Sequence, residues 1–123
     1  MELKNRKQNR RQTGTIYEEK ASQFLKENGY QILQKNFYTK FGEIDIVAKD
    51  GDYLVFVEVK YRKNGGLFAA LEAVTIEKQK RMILAAKVYL YTKEFNMDVP
   101  CRFDVIGFQG EEMIHIKNAI EVS

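Results

Sequence analysis

The chain has 123 residues, enough for one domain with its own core, and its 45% hydrophobic, 12% aromatic and 30% charged residues are the balance of a globular protein, not a disordered one. No apolar run approaches the roughly 18 residues of a membrane span and no signal-peptide pattern opens the chain, which predicts a cytoplasmic protein with no membrane partner. The single Cys101 permits no internal disulfide, and no Cys/His cluster of a zinc site exists.

The net charge of +3 is uneven: Lys4, Arg6, Lys7, Arg10 and Arg11 against Glu2 give residues 1–12 a charge of +4 and leave −1 for the rest. Residues 1–12 also lack hydrophobic periodicity. They are expected to form a flexible basic arm, which either contacts phosphates or stays solvated, ahead of a single domain over 13–123. A helix follows. Thr15 and Glu18 fit a capping box, Tyr17, Ala21, Phe24 and Leu25 form one apolar stripe, and Gly29 supplies the stop. Glu18 lies at the edge of that stripe, whereas Glu19 shares its face with Ser22, Gln23 and Lys26. Of the two acids, Glu18 is therefore the one expected to reach a site, beside or instead of its capping role.

Residues 30–37 predict a strand. The next stretch, roughly 42–49 and 53–61, predicts two Ile- and Val-rich strands joined at Asp50-Gly51, a strong hairpin signal. Side chains alternate along a strand, so Leu54, Phe56, Glu58 and Lys60 share one face. A two-residue Asp50-Gly51 loop sets Asp45 opposite Phe56 and makes Glu58 its diagonal neighbour. Asp45, Glu58 and Lys60 are then gathered on one side of one hairpin. The same residues also fit an edge strand that uses charge against aggregation, or an ion pair of little value.

Tyr61 to Gly66 leaves the strand as a basic loop with Arg62 and Lys63, and residues 67–74 suggest a short helical turn. Thr75 caps a helix over about 76–93, with Ile76, Ile83, Ala86 and Leu90 on one side. Lys78 and Arg81 on that helix are candidates, with Arg62 and Lys63, to hold a phosphate backbone; Lys87 fits a solvated face. Residues 102–108 and 113–116 predict two final strands around a Gly110 turn. Asp104 stands beside Ile106, and His115 is expected to face solvent. Helix, three strands, helix and two strands make an α/β sandwich with a mixed sheet.

Two carboxylates and an amine suit a hard divalent cation such as Mg²⁺ or Mn²⁺, which neutralises a phosphodiester and lowers the pKa of water. In that chemistry Asp45 and Glu58 are the direct ligands and the Val59 carbonyl is a further oxygen ligand. Lys60 hydrogen-bonds the attacking water or the phosphate, and Glu18 orients a water from the helix.

Gly42-Glu43-Ile44-Asp45-Ile46 followed by Val57-Glu58-Val59-Lys60 resembles the PD-(D/E)xK nuclease core, and is most similar there to archaeal Holliday-junction resolvases. The whole chain, over about 13–117, resembles the bacterial YraN family of endonuclease-like proteins. The matching residues include Thr13-Gly14 with Glu18, Gly29-Tyr30, Asn36, Arg62, Val74-Thr75 with Lys78, and Cys101-Arg102-Phe103-Asp104-Val105. This resemblance implies a restriction-endonuclease-like core, metal ligands Asp45 and Glu58, catalytic Lys60 and Glu18 as the helix acid. It also implies a metal-dependent endonuclease acting on DNA, including branched or junction DNA, and a homodimer, since resolvases of this type work as symmetric pairs. Ile44 stands where the superfamily often has Pro, a departure shared with the resolvase-like branch. Asp104 falls in a family motif and is a candidate ion-pair partner of Arg102. The competing reading is a non-catalytic nucleic-acid-binding module that keeps the nuclease fold.

Overall fold

The structure is a computed structural model; it describes residues 2–66 and 68–120 and, in the first helix, side chains from Gly14 onward. Its elements run α1 (Glu2–Glu27), β1 (Gln31–Thr39), β2 (Gly42–Asp50), β3 (Tyr53–Tyr61), α2 (Phe68–Glu72), α3 (Ile76–Thr92), β4 (Cys101–Gln109) and β5 (Glu112–Ile116). Thr15 lies inside α1 and does not cap it, because helical backbone continues on its N-terminal side. The side chains of the expected basic arm lie outside the described residues. At the other end Gly29 adopts φ +87°, its N–H donates to the Lys26 carbonyl at 3.1 Å, and the Tyr30 N–H donates to the Leu25 carbonyl at 2.9 Å. This is a Schellman stop, which needs the conformational freedom of glycine.

The five strands form one open sheet in the order β1-β2-β3-β4-β5. Only β3 and β4 pair in parallel, because the chain crosses between them through α2 and α3. Helix α1 covers one face of the sheet: Ala21, Leu25 and Tyr30 pack with Ile46, Ala48, Val55, Val57, Ile106 and Phe108. On the other face Met82, Ala85, Ala86, Tyr89 and Leu90 of α3 pack with Ile44, Val47, Leu54, Phe56, Phe103 and Val105. The fold is a mixed five-strand sheet flanked by helices.

Thr75 caps α3 as its sequence predicts, accepting the Lys78 N–H at 3.2 Å. Ile76, expected on the packed side, is instead 71% exposed, and the buried residues of α3 begin at Met82.

The β2–β3 hairpin keeps the expected parity but not the expected register. Its loop is Gly51-Asp52, with Asp50 opposite Tyr53 and Ile46 opposite Val57, two residues from the Asp50-Gly51 closure. Gly51 has φ +58° while Asp52 is not left-handed, so glycine serves the first loop position, as in a II′ turn, and not the second, as in I′. A slip of two leaves every side chain on its face. It also places Asp45 level with Glu58 itself.

At Asp45 the alternation of β1 and β2 breaks. Ile46 belongs to the α1 face and Ile44 to the α3 face, although two residues apart they should share one. In β1, Lys35 pairs with Ile46 and Phe37 with Ile44, and the intervening Asn36 takes φ +54°. Asparagine is one of the few residues besides glycine that occupies this region readily. Both strands turn over together at this point, and the regular β2–β3 ladder ends there.

Candidate active site

Where the ladder ends, the Asp45 side chain takes over from backbone: its Oδ2 accepts the Val59 N–H at 2.8 Å. In an extended strand a residue's N–H and C=O point to the same edge. The Val59 carbonyl therefore faces the same gap between β2 and β3. Asp45 is 6% exposed and Glu58 2% exposed. Glu58 Oε1 meets Lys60 Nζ at 3.2 Å and Lys78 Nζ at 3.5 Å, while Glu58 Oε2 is buried without any hydrogen-bond partner.

The Asp45 carboxyl is pushed up to about 8. Burial is the main cause and the Glu58 carboxylate the second; the Val59 N–H pulls the other way, and Glu18 and Glu43 add repulsion. Burial and the neighbouring carboxylate both favour its protonated form.

Glu18 arrives from α1, half-buried. With its amide nitrogen turned toward the acid, Asn36 donates to both Glu18 oxygens at 3.0 and 3.3 Å. The Glu18 carboxyl is raised by burial, eased by Asn36 and raised again by the charges of Glu43 and Glu58. Gly14, Thr15, Glu18, Asn36, Tyr38 and Glu43 line a cavity of about 490 Å³. Glu19, on the solvent side, pairs with Lys35. Glu18 and Glu43 act on Asp45 through the field, without a hydrogen bond to it.

The structure thus brings Asp45, Glu58, Lys60 and the Val59 backbone together, with Glu18 on the adjoining side. Lys78 joins them as a direct partner of Glu58. Arg62 and Lys63 lie beyond β3 and are exposed, the Arg62 guanidinium resting on the Tyr61 carbonyl at 2.9 Å. Arg81 is exposed on α3. Sequence reasoning missed Glu43 and the role of Asn36. The available signals were a second acid two positions before Asp45, and an asparagine at the end of the strand predicted just before that acid motif.

His115 is not the solvent-facing residue its strand pattern suggests. Its side chain is only 9% exposed and its Nε2 lies 2.8 Å from Asp104 Oδ2. β5 sits opposite Ile106 on the α1 face, where Phe24 and Tyr30 cover the imidazole edge-on. Fully buried Asp104 also takes Arg102 Nε at 2.9 Å, Arg102 Nη2 at 3.1 Å and the Asn118 N–H at 3.0 Å. Arg102 further holds Asp50 at 3.1 Å and the Tyr30 hydroxyl at 2.7 Å. This second charge cluster is complete and closed.

Among the described residues no three His, Cys, Asp or Glu side chains gather as ligands. The donor set does fit Mg²⁺ or Mn²⁺, which need one or two carboxylates and take their remaining oxygens from water and substrate phosphate. The unpartnered Glu58 Oε2, the proton-holding Asp45 and the inward-facing Val59 carbonyl are the donors such an ion would find.

A mixed sheet between helices, with an acid pair and a lysine where two central strands part, defines the class: an α/β protein with a nuclease-like core. Residues 17–108 match the family model described as Uncharacterised protein family UPF0102. The chain belongs to that family. It is 47% identical to a UPF0102 protein of Lachnoclostridium phytofermentans over 92% of this chain and 96% of that one. A UPF0102 protein of Janthinobacterium is 45% identical over 88% and 86%, and one of Vibrio parahaemolyticus 42% identical over 90% and 93%. No described helix is long and apolar enough to cross a membrane.

Proposed function

We propose that the protein is a metal-dependent endonuclease that hydrolyses phosphodiester bonds in DNA, with branched and junction DNA among its substrates. One observation carries the reading: two buried carboxylates stand side by side with one oxygen unpartnered and one carboxyl raised to about 8. Lys60 and Lys78 both approach the other Glu58 oxygen and leave Oε2 bare.

Asp45, Glu58 and the Val59 carbonyl would hold Mg²⁺ or Mn²⁺. The bound ion would neutralise phosphate charge and make a water acidic enough to attack at neutral pH. Lys60, 24% exposed at its side chain, would face both the solvent side and Glu58. Its ammonium would orient the attacking water and neutralise charge building on the phosphate oxygens as the bond to the leaving oxygen breaks. Lys78, on the same Glu58 oxygen, would hold a neighbouring phosphate. Glu18, kept in place by Asn36, would accept a hydrogen bond from the water on its other side. Junction cutting needs two symmetric incisions, so the working form under this reading is a homodimer.

The test is cleavage of labelled four-way junction, flap, linear duplex, single-stranded DNA and RNA with Mg²⁺ or Mn²⁺, with Lys60→Ala run beside the wild type. The expected result is metal-dependent cutting of DNA that disappears in Lys60→Ala. Tight binding of one substrate without cutting would replace this reading with the non-catalytic binding module.

A further inference from the structure

The tip of the β1–β2 hairpin displays aromatic rings that the core does not use. Tyr38 is 71% exposed and Phe41 36% exposed. The tip is ordered by Thr39: its hydroxyl donates to the Gly42 carbonyl at 2.8 Å and accepts the Phe41 and Gly42 N–H groups at 3.0 and 3.2 Å. Lys40 Nζ stands 5.1 Å from the centre of the Phe41 ring. Gly42 presses against α3, where a side chain on it would begin 3.4 Å from Arg81 Cβ, three residues after Lys78. Tyr38 sits opposite Glu43 and lines the cavity that holds Glu18. Two rings with Lys40 between them therefore stand on one stapled turn that ends three residues before Asp45.

A protein partner would want a contiguous apolar area; here Thr39 and Lys40 separate the two rings, and Arg81 stands against Gly42 at the end of the turn. Rigid rings interleaved with cations suit another ligand: bases stack on the ring faces while the cations follow the phosphates. We infer that the β1–β2 tip is a stacking platform for unpaired nucleobases, so that the substrate carries bases out of the helix beside the phosphate at Asp45 and Glu58. The place of that phosphate rests on the nuclease reading; the platform does not. It favours flaps, gaps and single strands over a fully paired duplex or a fully paired four-way junction.

The experiment uses 2-aminopurine placed in the unpaired segment of a flap oligonucleotide, titrated with the full-length protein in EDTA so that no cutting occurs. The wild type should quench the base. Tyr38→Ala with Phe41→Ala should abolish quenching and weaken flap and single-strand binding about tenfold to a hundredfold. Binding of paired duplex and paired junction should be unchanged. Tyr38→Phe with Phe41→Tyr, which keeps both rings, should behave as the wild type. Equal loss on paired and unpaired probes, no loss on either, or no nucleic acid bound by the wild type would overturn the platform. Mn²⁺ calorimetry separates the two ideas. Quenching without metal binding keeps the platform and removes the nuclease; metal binding and cutting without ring dependence does the reverse.

Discussion

Replacing Asp45 with Asn tests whether the acid pair is held in want of a cation. Asp45 is 6% exposed and titrates at about 8 in the fold, against an ordinary 3.8. Between those values the folded chain keeps a proton that the unfolded chain has lost, so the Asp45 contribution to metal-free stability is greatest at low pH and falls as pH rises toward the folded value. Because Glu58 supplies part of the repulsion, the titration belongs to the pair. From about pH 6 to about pH 8 the loss comes to about 2 kcal/mol, at roughly 1.4 kcal/mol per unit below the folded value. For a chain of this size that lowers Tm by roughly 8 °C. Asn keeps an oxygen for the Val59 N–H and has no proton to lose. Thermal melts of both proteins in EDTA across this window should show the wild type declining relative to Asp45→Asn, with the variant the more stable at the alkaline end. Added Mn²⁺ should restore the wild type there and leave the variant unmoved. Parallel pH profiles, or a variant that melts below the wild type at high pH, would refute the reasoning and make Asp45 an ordinary structural acid.

Glu58→Gln should also lose Mg²⁺ and Mn²⁺ binding in calorimetry while its circular dichroism stays that of the wild type; unchanged affinity would remove Glu58 from the ligand set. Asp104→Ala should behave in the opposite way, costing about 3 kcal/mol in urea denaturation because it takes the shared carboxylate from Arg102 and His115 and leaves Arg102 only the partly exposed Asp50 as a counter-charge. Burial works to raise the Asp104 carboxyl, but hydrogen bonds from His115, Arg102 and the Asn118 N–H outweigh it and hold the group below its ordinary value. That contribution is present above the ordinary carboxyl range and lost as pH falls through the folded value, so the variant should lose an acid-side limb that the wild type shows. At Asn36, with φ +54°, Asn36→Val should cost about 2 kcal/mol of backbone strain. Asn36→Gly should keep stability but release Glu18; equal denaturation midpoints for the two variants would deny the strain.

Much of the fold was legible because its signals are local. The apolar stripe of Tyr17, Ala21, Phe24 and Leu25, the Gly29 stop, the Thr75 cap and the strand alternation around Val55 and Val57 each act within a few residues. The neighbourhood of Asp45 and Glu58 survived a misplaced loop because a slip of two preserves parity. What failed was set at long range. His115 is buried because β5 lies under the far end of α1, which no window around Ile114 and Ile116 contains. The alternation break at Asn36 and Asp45 was invisible for a different reason. It takes two strands turning over together, one by a left-handed asparagine and one by a side chain that substitutes for backbone, and neither change leaves a mark in the hydrophobic pattern. Glu43 was passed over for the same cause: only after the break does it come round to the side of Glu18.

The two charge clusters give the sharper lesson about function. Asp104 and Asp45 are both buried on neighbouring parts of one sheet, and the fold treats them in opposite ways. Around Asp104 it supplies a guanidinium, an imidazole and a backbone N–H, and the carboxyl falls below its ordinary value. Around Asp45 it supplies one N–H and a second carboxylate, and the carboxyl rises to about 8. The chain that satisfied the first acid had the means to satisfy the second: Lys60 and Lys78 are close, yet both lean on Glu58 Oε1 and leave Oε2 bare. Under the proposed nuclease reading, that shortfall is the place of a cation and a charged substrate. The pH profiles of Asp45→Asn and Asp104→Ala, slanting in opposite directions, measure that difference without reference to any activity.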